Sequence, residues 1–182
     1  SHVIFTELGW QKDKILFQSA SGPLCVQRER DLLAMDFPAQ PPAPAAPPAG
    51  LLEGLGGSPV EVLRSKDYLV VYGDEEEVRS LEPRMDLLKG LDLRGVIVTA
   101  PGRGCDFVSR FFAPALAIDE DPVTGSAHCA LVPYWSRRLG KRELHAFQVS
   151  RRTGELFCRD EGRRVIISGR AVTYLRGRAT LP

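Results

Sequence analysis

The chain has 182 residues, of which 43% are hydrophobic, and this is enough for one full domain or for one domain with part of another. No apolar run approaches the ~18 residues of a membrane-spanning helix, and the first residues lack the pattern of a secretory signal. The net charge is +1, although the segment from Arg137 onward carries twelve Lys and Arg against four Asp and Glu. Few aromatic residues lie between these arginines, which favours a solvated sheet face over a nucleic-acid interface.

The cysteines and histidines show no spacing typical of a metal or redox site. Because no secretion signal is present, we expect free thiols in a reducing compartment and a cytoplasmic location. The residues concerned are Cys25, Cys105, Cys129, Cys158, His2, His128 and His145.

Residues 14–37 predict three short strands, because apolar and polar residues alternate along them. Three strands with one apolar face need a cover, and we expect none from the thirteen residues that precede them. The uncovered face is a first indication that this unit is truncated. Residues 38–50 contain six prolines and predict a semi-extended linker, with a disordered proline-rich ligand as the alternative.

From residue 51 onward, the pattern indicates about eight strands and three helices without regular alternation of the two. An acidic helix is predicted after Asp74, which is a suitable N-cap residue. The longest helix is predicted to end at Gly140, since glycine is typical just beyond a helix end. Residues 51–182 are therefore expected to form an α+β domain with a mostly antiparallel sheet.

Residues 51–182 also contain a polar residue within an apolar strand and an alternating C-terminal segment. Ser109 is placed on the outward face of its strand, because apolar residues flank it. A last strand is predicted at 171–181 from the alternation in AVTYLRGRATL.

The run AIDEDPVTGSAHCAL leads from a strand through a loop into the longest helix, which opens at Gly125, Ser126 and Ala127. Amides at a helix start lack intrahelical partners, small side chains allow close approach, and the helix dipole adds positive potential. The run therefore predicts a site for a carboxylate or phosphate. Pro122 restricts Asp121 to an extended conformation, so its carboxylate is a candidate for moving a proton beside a bound acid.

A purely structural interpretation of the same run remains open. Thr124 or Ser126 can serve as an ordinary N-cap, which typically contributes ~1 kcal/mol. His128 is expected to pack or to form a hydrogen bond within the helix and to take no part in catalysis.

The stretch SRFFAPALAIDEDPVTGSAHCALVPYWSRRLG, with the following HAFQVSRRTGEL, resembles the phenazine biosynthesis-like (PhzF) family, particularly its animal members. The likeness extends over nearly the whole chain and is weak across the proline-rich linker. It implies a diaminopimelate epimerase-like fold, in which two similar domains each wrap a sheet around a central helix and the active site lies between them. It also implies a cofactor-independent isomerase, with Asp121 as a polar catalytic residue and Gly125 and Ser126 as binders of the substrate carboxylate.

Two features of that family have no counterpart in this sequence, namely a glutamate in a Ser-Glu-Thr motif, which shuttles the proton, and a Gly-His-Ala-Thr helix start. The resemblance therefore implies that residues 1–37 are the remnant of an N-terminally truncated domain, beside one complete domain. The first hypothesis is PhzF-type proton transfer alpha to the carboxylate of a small organic acid. The alternative is a non-catalytic variant that binds a protein partner. Because family members often dimerise, a homodimer is also expected.

Overall fold

The computed structural model of the chain describes residues 1–19 and 22–178 and contains strands and helices in mixed order. The strands are β1 (Lys14–Ser19), β2 (Gly22–Glu29), β3 (Leu32–Pro38), β4 (Ala43–Pro44), β5 (Glu61–Arg64), β6 (Tyr68–Val71), β7 (Val96–Pro101), β8 (Phe107–Ala113), β9 (Ile118–Glu120), β10 (Glu143–Gln148), β11 (Gly154–Asp160) and β12 (Arg164–Gly169). The helices are α1 (His2–Thr6), α2 (Leu51–Leu55), α3 (Glu75–Ser80), α4 (Met85–Leu88) and α5 (Gly125–Leu139), with a 3-10 turn at Pro114–Leu116.

The described strands form one continuous sheet in the order β1-β2-β3-β12-β11-β10-β8-β7-β6-β5-β4, with β9 paired to β8. Two neighbouring pairs, β8–β10 and β6–β7, are parallel. The remaining pairs are antiparallel, as the sequence predicted.

Helix α5 packs against one face of this sheet. Its buried residues share one core with side chains from β5 to β8 and from β10 to β12, and Trp135 stacks on Phe107 with ring centroids 5.6 Å apart. The helix ends at Gly140, whose φ of 67° is the left-handed conformation that glycine adopts readily. The prediction of a sheet wrapped around a central helix therefore describes this core.

The opposite face of β6, β7 and β8 is covered by α2, α3 and α4, which form a second core with Tyr68, Val98 and Phe112. Asp74 caps α3 as predicted, since its carboxylate accepts a hydrogen bond from the Glu77 amide at 3.1 Å. Because these strands are covered on both faces, the outward placement of Ser109 was wrong. Its side chain is 1% exposed and faces the α5 side.

The N-terminal strands β1 to β3 join the rest of the sheet through six residue pairs between β3 and β12, from Leu33–Gly169 to Pro38–Arg164. The expectation that no preceding segment covers them was wrong, because α1 places Phe5 against Ile15 and Val26. Helix α1 is short, and the resulting core is small. The assignment of residues 1–37 to a separate domain stays a prediction.

The proline-rich linker is ordered and crosses α5 to the far edge of the sheet, where β4 pairs with β5. Its Gln40 amide donates a hydrogen bond of 2.8 Å to the Cys129 carbonyl of α5. That carbonyl would normally accept from residue 133, which is proline and has no N–H. The linker therefore supplies the donor that Pro133 removes from the helix.

The C-terminal prediction was wrong over residues 171–178, which are not in a strand, and residues 179–182 lie outside the described part. Residues 170–178 lie beside α1, where Arg176 and Thr173 contact Glu7. Within the described residues, none of the helices is both long and apolar enough to cross a membrane.

Candidate functional site

The loop of the candidate site, residues 121–124, follows β9, which is the last strand before α5. Strand β9 pairs with β8 across a register shift at Phe112, and Arg110 holds Glu120 of β9 through an ion pair of 2.7 Å. The Asp121 amide then donates to the Phe111 carbonyl at 3.0 Å. The backbone that carries Asp121 is thus fixed before the chain enters the helix.

The Asp121 carboxylate is half-buried and accepts a hydrogen bond from the Thr124 hydroxyl at 2.5 Å. Thr124 is the N-cap residue of α5 by position, but its side chain does not cap the helix, because its hydroxyl donates to Asp121. The interpretation of Thr124 as an ordinary N-cap was therefore wrong. The carboxylate lies within one turn of the helix start.

The amides of Gly125, Ser126 and Ala127 open the helix, and among the described residues no side chain accepts a hydrogen bond from them. Ser126 does not act as an N-cap either, because it lies inside the helix and is exposed. Free amides and the positive end of a helix of fifteen residues favour an anion at this position. The predicted carboxylate-binding residues and Asp121 are therefore brought together.

The side chain of Gln148, in β10, forms three hydrogen bonds with this loop. The sequence did not identify this residue as part of the site. Its side-chain oxygen accepts from the Thr124 amide at 2.7 Å, and its side-chain nitrogen donates to the Asp121 carbonyl at 2.7 Å and to the Thr124 hydroxyl oxygen at 3.1 Å. The residue is fully buried. One signal was available, since Gln148 follows Leu144 and Ala146 at the inward positions of its strand.

His128 lies one turn into α5 and is fully buried. Burial lowers its pKa to about 4, so the ring is neutral at pH 7. Its Nδ1 then donates to the Thr124 carbonyl at 2.8 Å, which leaves Nε2 buried without a hydrogen-bond partner among the described residues. The expectation that His128 packs and bonds within the helix agrees with this geometry.

Arg94, a second residue that the sequence reasoning missed, reaches the helix start from the segment before β7. Its Nη2 donates to the Ser126 hydroxyl oxygen at 3.0 Å, while the guanidinium is held by buried Asp67. No short-range motif links these residues, because Arg94 and Ser126 are 32 positions apart.

A cleft of about 510 Å³ opens beside Gly125, with Val123, Gly154, Leu33 and Met35 on its wall. Val123 packs so closely on Gly154 that a Cβ at position 154 would lie 2.2 Å from the Val123 Cγ2. The glycine therefore allows the loop to approach β11. Among the described residues, no group of three or more His, Cys, Asp and Glu side chains could hold a metal ion.

A family model described as phenazine biosynthesis-like protein matches residues 1–177. Two uncharacterized isomerases of Pseudomonas aeruginosa are 54% and 51% identical to the chain; the matches cover 88% and 100% of this chain and 62% and 70% of those proteins. Phenazine biosynthesis-like domain-containing protein 2 of the mouse is 37% identical, over 98% of this chain and 69% of its own length. The chain thus spans about two thirds of the length of these relatives, and the two bacterial proteins share more identity with it than the mouse protein does.

Solved structures agree with these matches. A PhzF family protein of Enterococcus faecalis superposes with a TM-score of 0.96 at 42% identity, covering 99% of this chain and 70% of that one. A hydroxyproline epimerase of Agrobacterium vitis gives a TM-score of 0.53 at 13% identity, covering 94% and 61%, and shares the fold alone. The expected α+β fold of the diaminopimelate epimerase type is thereby confirmed.

Proposed function

Because this chain belongs to the phenazine biosynthesis-like (PhzC-PhzF) family, we propose that it forms part of an isomerase that moves a proton alpha to the carboxylate of a small organic acid. The names of the two Pseudomonas relatives support an isomerase. One observation carries the assignment to this site: the Asp121 carboxylate is held by Thr124 beside three amides of α5 that no side chain caps.

The proposed reaction follows from what these groups can bind. The amides of Gly125 and Ser126, with the helix dipole, hold the substrate carboxylate. When the C–H bond next to that carboxylate breaks, the proton passes to a base and the electron pair delocalises onto the carboxylate oxygens. The amides stabilise the added negative charge, and the proton then returns to a different face or carbon. No metal or organic cofactor enters this sequence of steps.

Asp121 is assigned a supporting role in this reaction. The family resemblance places the principal proton carrier on the glutamate of a Ser-Glu-Thr motif, which these 182 residues do not contain. Asp121 is half-buried and already hydrogen-bonded through Thr124, so it is suited to orient a polar group of the substrate. The complete site is therefore proposed to require a polypeptide segment that carries the glutamate motif.

Deuterium exchange tests this proposal directly. The chain is fused to the part of one of the two Pseudomonas relatives that lies outside the region matched to it. Small 2-hydroxy and 2-amino acids are then incubated with the fusion in heavy water. We expect incorporation at the carbon next to the carboxylate, unaffected by a chelator, and a fall of roughly 10- to 100-fold for Asp121→Asn, since a hydrogen bond to a charged group contributes about 1.5–3 kcal/mol. A fusion that folds but exchanges none of the acids would show that the proposal is wrong.

A second candidate function is the binding of a protein partner, including a second copy of the chain. It is favoured by large apolar side chains that are exposed near α1 and the C-terminal segment, namely Val3, Leu8, Leu16, Val172, Tyr174 and Leu175. Light scattering of the purified chain is expected to show a dimer, and Leu8→Asp should weaken it. A monomer at all accessible concentrations, with no partner retained in pull-down, would count against this function.

A further inference from the structure

We propose that Asp67 and Arg94 are positioning residues that set the Ser126 hydroxyl as a hydrogen-bond donor for the substrate carboxylate. This inference rests on the proposed function, since it concerns the same carboxylate site. It assigns a role to two residues that lie in neither the loop nor α5.

The guanidinium of Arg94 is held in a fixed position. Asp67 is 2% exposed, and its two carboxylate oxygens accept from Nε and Nη2 of Arg94 at 2.9 Å each. Burying a charged carboxylate is costly unless it is paired with an opposite charge. The planar guanidinium of arginine can donate to both carboxylate oxygens at once. Arg94 also lies over the Phe111 ring, 5.9 Å from its centroid. The ion pair and the ring together leave the guanidinium little freedom.

The hydrogen bond from Arg94 sets the direction of the Ser126 hydroxyl proton. Arginine has no acceptor, so the contact of 3.0 Å between Nη2 and the Ser126 oxygen must use a serine lone pair. The hydroxyl proton then points away from Arg94. Among the described residues, the Ser126 oxygen has no other hydrogen-bond partner, and the residue is exposed. The proton is therefore free to be donated to a ligand at the helix start.

Asp67 neutralises the charge of Arg94 through the bidentate pair, so Arg94 contributes an aimed donor and little net positive charge. The guanidinium of Arg94 lies over the Phe111 ring, and the Phe111 carbonyl accepts a hydrogen bond from the Asp121 amide. Phe111 thus contacts both Arg94 and the backbone of Asp121. This shared contact fixes the position of the Ser126 hydroxyl relative to the Asp121 carboxylate.

Titration of the isotope-labelled fusion described under Proposed function with sodium lactate, followed by the amide signals of Gly125, Ser126 and Ala127, tests this inference. We expect saturable shifts in the wild type and roughly tenfold weaker binding for both Arg94→Met and Ser126→Ala. Because Arg94 acts through Ser126, the double variant should bind no more weakly than either single variant. Ser126→Thr, which keeps the hydroxyl, should retain binding.

Arg84→Met is the matched control, because Arg84 also pairs with a carboxylate, at 2.9 Å from Glu53, but lies with α2 and α4 on the face of the sheet opposite α5. It should leave lactate binding unchanged. If Arg94→Met does not give a folded spectrum, Arg94→Lys replaces it, and it should also weaken binding because one ammonium cannot reproduce the fork on Asp67 and reach Ser126.

The outcomes separate the two proposals. A folded wild-type fusion whose three amides do not respond to lactate would contradict the proposed function. A wild type that binds lactate, with Arg94→Met binding equally well, would overturn only the role of the positioning pair. Additive losses in the double variant would also overturn it, since they would mean that Arg94 contacts the carboxylate directly.

Discussion

At the scale of single residues, the loop depends on Gln148, which among the described residues is the hydrogen-bond partner of the Thr124 amide and of the Asp121 carbonyl. Gln148→Leu keeps the approximate volume but leaves these backbone groups without partners in a buried setting. We expect it to lower the free energy of unfolding by roughly 2–4 kcal/mol, since each unpaired buried group costs about 1–3 kcal/mol. Urea denaturation measures the change. Gln18→Leu, at an exposed position of β1, is the control and should change stability by less than ~0.5 kcal/mol.

His128 makes stability depend on pH in a defined window. Burial lowers its pKa from 6.5 to about 4, so below pH 6.5 the unfolded chain takes up a proton that the folded chain does not. The free energy of unfolding should therefore fall as the pH drops from 6.5 to 4, by about 3 kcal/mol in total from this residue. Above pH 6.5 the histidine is neutral in both states and contributes no pH dependence.

His128→Asn isolates this effect, because its amide can still donate to the Thr124 carbonyl but does not titrate. Urea denaturation at several pH values should show a flatter curve between pH 4 and 6.5 for this variant than for the wild type. Gln18→Leu, which removes no titrating group and lies at an exposed position of β1, is the control and should follow the wild type. Parallel curves for His128→Asn and the wild type would mean that the histidine is protonated equally in both states.

At the scale of elements, the contact between the loop and β11 depends on the absence of a side chain at Gly154. A Cβ there would lie 2.2 Å from the Val123 Cγ2, so Gly154→Ala must displace the loop that carries Asp121. We expect a loss of about 1–3 kcal/mol in stability, together with weaker lactate binding at the helix start. Val123→Ala in the same chain removes the clashing methyl groups and should restore part of both losses. Gly104→Ala, where a Cβ meets no atom within 4 Å and the backbone is not in the left-handed region, tests for a general effect of losing glycine.

The linker and α5 are coupled by the hydrogen bond from the Gln40 amide to the Cys129 carbonyl. Gln40→Pro removes this donor at a position that Pro41 already restricts to extended conformations, and should cost about 1–3 kcal/mol. In a Pro133→Ala background the helix supplies its own donor to Cys129, so the same change should cost less. Gln40→Ala keeps the amide and should be nearly neutral. Equal costs of Gln40→Pro in both backgrounds would show that the linker does not compensate for Pro133.

Most local features of these elements could be predicted from the sequence, whereas the contacts between distant segments could not. The helix ending at Gly140 and the loop before it depend on local pattern and capping, which a sequence displays directly. Apolar alternation reports that a strand buries one face, but not which neighbour it pairs with, so the joining of β3 to β12 was not foreseen. Ser109 was misplaced for a related reason, because its strand is covered on both faces. Arg94 reaches Ser126 across 32 positions and left no local signal.

At the scale of the whole molecule, the sheet is continuous but its cores are unequal. Strands β6 to β8 are buried on both faces, whereas β1 and β2 lie at one end of the sheet and bury only the small cluster around Phe5. Few buried contacts mean a low free energy of local opening. We therefore expect native-state hydrogen exchange to show β1 and β2 opening well before β6 to β8.

Phe5→Ala separates local from global opening. It removes the aromatic ring from the small cluster, a change that costs roughly 3 kcal/mol at a buried site. Protection should fall in β1 and β2 and stay unchanged in β6 to β8, because the larger cores do not contain Phe5. Leu131→Ala, which removes a fully buried side chain from the α5 core, should lower protection throughout. If Phe5→Ala lowers protection equally in all strands, the hydrogen bonds between β3 and β12 couple the sheet into one cooperative unit.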